Sequence, residues 1–205
     1  MPGRLFLTSS LRETAEFLGT PIPQEVTHEP RYNMAPGEEI LVSTGPELRP
    51  MRWGIIPVGR KNARGRPVLE TIVNARSETV FQKSAFEGVR RGLVPANGWY
   101  EWTGERRKKT PWRIIPKDGD FLAFAAIWDV WTAPGGREVA QVATVTCEPS
   151  GDVKDIHHRM GVLLRPDQFD LWLTAPEEDL PAVMRPFPDG SLRVEGALDV
   201  DWNSP

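Results

Sequence analysis

Apolar residues recur with two different periods along this chain. Near the start, Leu11, Ala15 and Leu18 fall on one face of a helix; Ser10-Leu11-Arg12-Glu13 forms a capping box ahead of them, and Gly19 supplies the stop. Pro21, Pro23 and Pro30 then break the pattern, so residues 20–38 read as a loop. Two short strands follow, Ile40–Ser43 and Leu48–Trp53. Residues 57–67 are polar, basic and glycine-containing and read as a surface loop. Thr71–Val73 forms a short strand running into Asn74, and a helix is expected within residues 80–90. The centre is rich in β-branched and aromatic residues, and Leu93–Pro95, Trp99–Trp102, Trp112–Ile115, Leu122–Trp128 and Val139–Thr146 read as strands. Lys117-Asp118-Gly119-Asp120 and Pro134-Gly135-Gly136 are turn signals between them. Val162–Leu164 is a last core strand, and Asp167–Leu173 a helix that starts after Pro166. Residues 176–205 read as an acidic, proline-rich tail. Many short strands and few helices predict an α+β protein. Its core should be mainly antiparallel and barrel-like, flanked by short helices, with residues 1–205 as one domain.

Composition narrows the function classes. No run approaches the ~18 apolar residues of a membrane helix, and the first residues lack an apolar stretch with a cleavage site. The expectation is a cytoplasmic, monomeric protein with no membrane partner. Cys147 is the only cysteine, which excludes an internal disulfide and a cysteine-rich zinc site. The net charge of −3 is unevenly spread. Residues 166–205 hold nine acidic residues and two arginines, a net of −7, which leaves +4 on residues 1–165. Basic residues cluster at Arg60, Lys61, Arg64 and Arg66, at Arg90 and Arg91, and at Arg106, Arg107, Lys108 and Lys109. Such clusters suit phosphate binding or simply a solvated loop surface. Eight tryptophans against two tyrosines supply flat apolar surface for a core or for stacking on bases.

Three segments carry candidate chemistry. In Asn74-Ala75-Arg76-Ser77-Glu78 an amide and a guanidinium follow a strand end, an arrangement that holds anionic or carbonyl ligands, or else caps a helix beside a surface ion pair. In Asn97-Gly98-Trp99-Tyr100-Glu101-Trp102, Asn-Gly is a turn signal. Strand alternation puts Glu101 on the face of Trp99 and opposite Tyr100 and Trp102. A carboxylate among aromatic rings is partly desolvated and suits acid–base work, whereas the same residue facing water is inert. In Asp155-Ile156-His157-His158-Arg159-Met160, an extended chain would send the two histidines to opposite faces. They would then not share a metal, and one could serve as an acid or base. A loop histidine bonded to backbone is the other reading.

RYNMAPGEEI (31–40), RWGIIPVG (52–59), NARSET (74–79), RRGLVPANGWYEW (90–102), AAIWDVW (125–131) and IHHRM (156–160) stand in an order and spacing that resemble the SOS response-associated peptidase (SRAP) family. The likeness covers about residues 1–175. It implies an α+β fold around a barrel-like core, a basic groove for single-stranded DNA and action on abasic sites, with no cofactor and no metal. In that family the initiator methionine is removed, and the exposed cysteine condenses with the ring-opened sugar. The amine gives a Schiff base, and the thiol then closes a stable thiazolidine crosslink. By resemblance Asn74, Glu101 and His157 are the catalytic positions, and Arg4, Arg76 and Arg159 face phosphates. The chain departs from the family at position 2, where Pro2 stands in place of cysteine, and at Gly161, where the family reads proline. If Met1 is removed, Pro2 presents a secondary amine, with an ordinary pKa of ~8, that can form an iminium but has no thiol to trap it. If Met1 stays, the nitrogen is an inert tertiary amide. Three functions are compatible with this sequence: an abasic-site lyase working through Pro2, a peptidase or self-processing hydrolase, and a non-catalytic single-strand binder.

Overall fold

The computed structural model describes residues 2–57, 64, 70–105, 108–133 and 135–202. In chain order the strands are β1 (Leu5–Leu7), β2 (Arg31–Met34), β3 (Glu39–Ser43), β4 (Leu48–Trp53), β5 (Asn74–Arg76), β6 (Arg90–Ala96), β7 (Gly98–Thr103), β8 (Thr110–Pro116), β9 (Leu122–Thr132), β10 (Glu138–Cys147), β11 (Met160–Gly161), β12 (Leu163–Leu164) and β13 (Leu192–Gly196). The helices are α1 (Leu11–Leu18) and α2 (Phe169–Thr174), with three 3₁₀ segments. Among the described residues no helix is long and apolar enough to cross a membrane.

Five strands close on themselves. β3 and β4 form a hairpin, β3 borders β6, β6 pairs along its length with β9, β9 with β10, and β10 returns to β4. Each pairing is antiparallel except β4–β10, so the core is the barrel-like, mainly antiparallel α+β arrangement that the pattern predicts. β9 is buried on both faces from Leu122 to Trp128. That is why it reads as a continuous apolar run rather than an alternating one. α2 lies over β6, where the buried indole of Trp172 donates to the Gly92 carbonyl at 2.9 Å.

A second, wholly antiparallel sheet runs β2-β1-β7-β8-β13 beside the barrel. Trp99 of β7 meets Phe124 of β9 edge-on at 5.7 Å. The Asn97-Gly98 signal marks no hairpin: it is where the chain leaves the barrel for the second sheet. Asn97 Oδ1 accepts from the Thr8 and Ser9 backbone N–H groups at 2.6 and 3.1 Å. A Cβ at Gly98 would stand 2.5 Å from the Ile114 carbonyl and 2.6 Å from the Phe6 ring, so the crossing needs glycine.

Several local expectations change. The first helix and its caps form as read, with Ser10 and Glu13 bonded reciprocally and Gly19 at φ 61°. Within residues 80–90 there is only one 3₁₀ turn, Ser84–Phe86, too short a segment to bury a helical face. Around residue 72 only an Ile55–Ile72 bridge forms, and the strand itself is Asn74–Arg76. The loop 20–38 contains β2, and the tail contains β13, which adds to the β8 edge. Met1, Arg60, Lys61, Arg66, Arg106, Arg107 and Pro134 lie outside the described residues, as does most of the loop 57–67.

Candidate active site at the amino terminus

β5 runs parallel to β10, pairing Asn74 with Thr144, Ala75 with Val145 and Arg76 with Thr146. Ala75 is buried, and this anchors the strand so that Asn74 and Arg76 flank it. Asn74 Oδ1 accepts from Thr144 Oγ1 at 2.5 Å, and this orients the amide. Asn74 Nδ2 then donates to the carbonyl of Pro2 at 2.9 Å. Pro2 is buried, and the hydrogen-bonded carbonyl fixes where the amino-terminal residue sits. On its other side lies Gly161 of β11: a Cβ there would stand 3.5 Å from Pro2 Cγ and would overlap the ring of Phe124. The seat for residue 2 is therefore made by an amide on β5, with Gly161 of β11 as its neighbour across the ring.

Glu101 lies on the barrel-facing side of β7 with Trp99, while Tyr100 packs with Phe6 on the other side, as alternation requires. It is 4% exposed. Burial pushes its carboxyl up to about 7, with the charge of the amino terminus opposing in part. A carboxyl with that pKa exchanges a proton readily at neutral pH.

His157 does not point away from His158. The turn Ser150–Ile156 carries bonds from Val153 N–H to Ser150 O and from His157 N–H to Val153 O, so the chain is not extended here. The two rings stack with centroids 4.3 Å apart. The expectation of opposite faces fails because the segment is a turn. The residues differ in depth instead, with His157 half-buried and His158 exposed. His157 Nδ1 stands 3.0 Å from both the backbone N–H and the carbonyl of Arg159, accepting from the first or donating to the second according to its tautomer. Burial lowers this imidazole to about 4, and the amino-terminal charge acts in the same direction. His157 is thus neutral at physiological pH.

The three arginines fall in different settings. Arg76 is exposed at the end of β5. Arg4 is half-buried and donates from Nη1 to Asn33 Oδ1 at 2.9 Å. Arg159 is 8% exposed and is held internally. Its guanidinium grips the Glu78 carboxylate through both Nη atoms and donates from Nη2 to the Thr146 carbonyl at 2.6 Å. The pairing holds Glu78 down to about 2. In this structure Arg159 braces the loop of His157 against β10 and does not reach the surface.

Cys147, at the end of β10, is buried, and burial pushes its thiol up to about 12, so it is inert as a nucleophile. Among the described residues no group of three or more His, Cys, Asp or Glu is placed to hold a metal ion. Sequence reasoning missed Thr144 and Phe124, and it offered Arg76 as the partner of Glu78, which Arg159 holds instead. Thr144 and Thr146 were visible as polar residues two apart in the apolar stretch Val142–Cys147, a sign of groups that must find partners inside.

Comparison with known proteins gives the family and the fold. The family model for SOS response associated peptidase (SRAP) matches residues 1–197. The chain is 30% identical over 174 residues to the abasic site processing protein YoqW of Bacillus subtilis, covering 80% of this chain and 76% of that protein. It is 34% identical over 154 residues to the abasic site processing protein YoaM of the same organism, covering 71% and 66%. The fold is that of a protein from Bacteroides thetaiotaomicron, with a TM-score of 0.83 and 22% identity over 98% of this chain and 96% of that one.

Proposed function

The chain belongs to the SOS response-associated peptidase family, and we propose that it processes abasic sites in single-stranded DNA through the amine of Pro2, exposed when Met1 is removed. The observation that carries this reading is the seat of residue 2. The Asn74 amide holds the Pro2 carbonyl at 2.9 Å, and the residue is buried. A terminal residue with no role in chemistry has no need of a buried anchor.

The proline nitrogen attacks C1′ of the ring-opened sugar. The carbinolamine loses water, and its nitrogen has no hydrogen left to give up, so the product is a cationic iminium. Glu101, poised near pH 7, supplies a proton to the departing hydroxyl and takes one back. The iminium acidifies C2′–H, and loss of that proton expels the 3′ phosphate, which is lyase chemistry. Otherwise water re-adds and returns the aldehyde. His157 serves as a neutral imidazole that does not titrate in this range. Arg4 and Arg76 contact phosphates, and Arg159 positions the His157 loop. A cysteine at position 2 would close a ring on the same carbon; proline cannot.

Borohydride trapping tests this. The protein with Met1 removed should give a covalent adduct with abasic single-stranded DNA only when reductant is present. Pro2→Cys should give a heat-resistant crosslink without it. A crosslink from the Pro2 protein that persists without reductant would require a different nucleophile. Absence of both products would leave no role for the amine.

A further inference from the structure

β7 has a second face. Tyr100 and Trp102 point away from Glu101, beside Phe6 of β1, whose ring centroid lies 5.1 Å from that of Tyr100. Arg113 of β8 stands across from Tyr100 in the ladder. The face communicates with the amino-terminal seat through Arg4, whose carbonyl accepts from the Tyr100 N–H at 3.0 Å. A cleft of about 520 Å³ opens here. On its wall Tyr32, 59% exposed, is one of few large apolar side chains left in water.

The chain's own acidic end lies across this face. Ala197 N–H donates to the Pro111 carbonyl at 3.1 Å, and Asp199 accepts from Arg113 Nη2 at 2.8 Å. The Trp202 ring stands edge-on to Tyr100 at 4.9 Å and tilted against Trp102 at 5.1 Å. The Trp202 carbonyl accepts from Asn33 Nδ2 at 2.9 Å, and the same Asn33 amide receives Arg4 through its oxygen. Residues 197–202 therefore put an anion on an arginine and a flat ring on an aromatic pair. A phosphate and a base would make the same two contacts. The Asp199 carboxylate is 68% exposed, and an exposed pair of this kind exchanges its anion at little cost.

Building on the reading that the chain binds single-stranded DNA, we infer that this aromatic and basic face is a contact surface for the strand running out of the amino-terminal site, and that residues 197–202 occupy it as an intramolecular competitor. The −7 charge of residues 166–205 then has a use that the chemistry at Pro2 leaves unexplained.

The test uses full-length protein and a fluorescent oligothymidylate without abasic sites, read by anisotropy at several salt concentrations. Trp202→Ala should tighten binding by roughly tenfold, since the strand no longer displaces the Trp202 ring from Tyr100 and Trp102. Asp199→Asn takes the carboxylate off Arg113 Nη2, leaving Nη1 on Glu195 at 3.4 Å, and should steepen the slope of log affinity against log salt by about 0.7, one extra phosphate on a single strand. Asp199→Asn changes one exposed oxygen, so it remains a fair test if Trp202→Ala loosens the fold. Unchanged or weaker binding in both variants overturns the inference while leaving the functional reading intact. No binding by the unaltered chain or by either variant removes the functional reading and the inference together.

Discussion

Replacing Glu101 by glutamine should stabilise the protein at pH 8 while slowing its chemistry. The carboxyl is 4% exposed and is held up to about 7, against 4.5 in an open chain. Between those values the native state keeps a proton that the unfolded chain has released. Native protons exceed unfolded ones in this window, so stability falls as pH rises, by about 1.4 kcal/mol for each pH unit. The cost is absent below pH 4.5, where both states are protonated, and complete above pH 7. The whole penalty is about 3 kcal/mol. Glutamine has the same shape and no charge to desolvate. Urea unfolding of both proteins should therefore give a difference in favour of Glu101→Gln that grows from under about 1 kcal/mol at pH 5 to about 3 kcal/mol at pH 8. Titrating groups that do not touch Glu101 are common to both proteins and cancel, and the amino terminus, which opposes the shift, acts against the difference. The same variant should slow borohydride trapping of abasic DNA by about 10²-fold, the usual worth of a positioned acid–base group. A stability difference that stays constant from pH 5 to pH 8 would refute the reasoning, because a solvated or permanently neutral carboxyl gives no pH-dependent term. A destabilised variant at pH 8 would show instead that the carboxylate is satisfied by partners that glutamine cannot replace.

Two other outcomes follow from the geometry. Arg76→Ala removes an exposed guanidinium at the end of β5 and should flatten the salt dependence of single-strand binding by about 0.7 in slope; an unaltered slope removes Arg76 from the DNA path. Gly161→Ala places a methyl group into the Phe124 ring and against Pro2, which should cost about 1–3 kcal/mol in urea unfolding. Phe124→Leu in the same chain should recover part of that loss, and a purely additive double variant would show that the two sites are not in contact.

The strands with strong patterns were legible from the sequence because alternation and β-branching act locally. Leu48–Trp53 forms as read, and the central strands differ from their expected bounds mainly at the ends. The face of Glu101 was also legible, since a period of two leaves no choice once Trp99 is inside. Weakly patterned strands were hidden. Leu5–Leu7 is three residues long, Arg31–Met34 is half polar, and Leu192–Gly196 sits among prolines and acids. Each exists because a neighbouring edge accepts its hydrogen bonds, a fact that no local window contains. The site divides in the same way. That Asn74, Glu101 and His157 are chemical groups could be read from residue type and motif order. That Asn74 takes its direction from Thr144, seventy residues away, could not be read. Nor could the stacking of His157 on His158, the internal hold on Arg159 by Glu78, or the close approach of Phe124 to Gly161. Residue identity determines which groups can hydrogen-bond or titrate. Their depth and partners arise only when strands far apart in the chain pair, because desolvation and hydrogen-bond geometry belong to the packed interior.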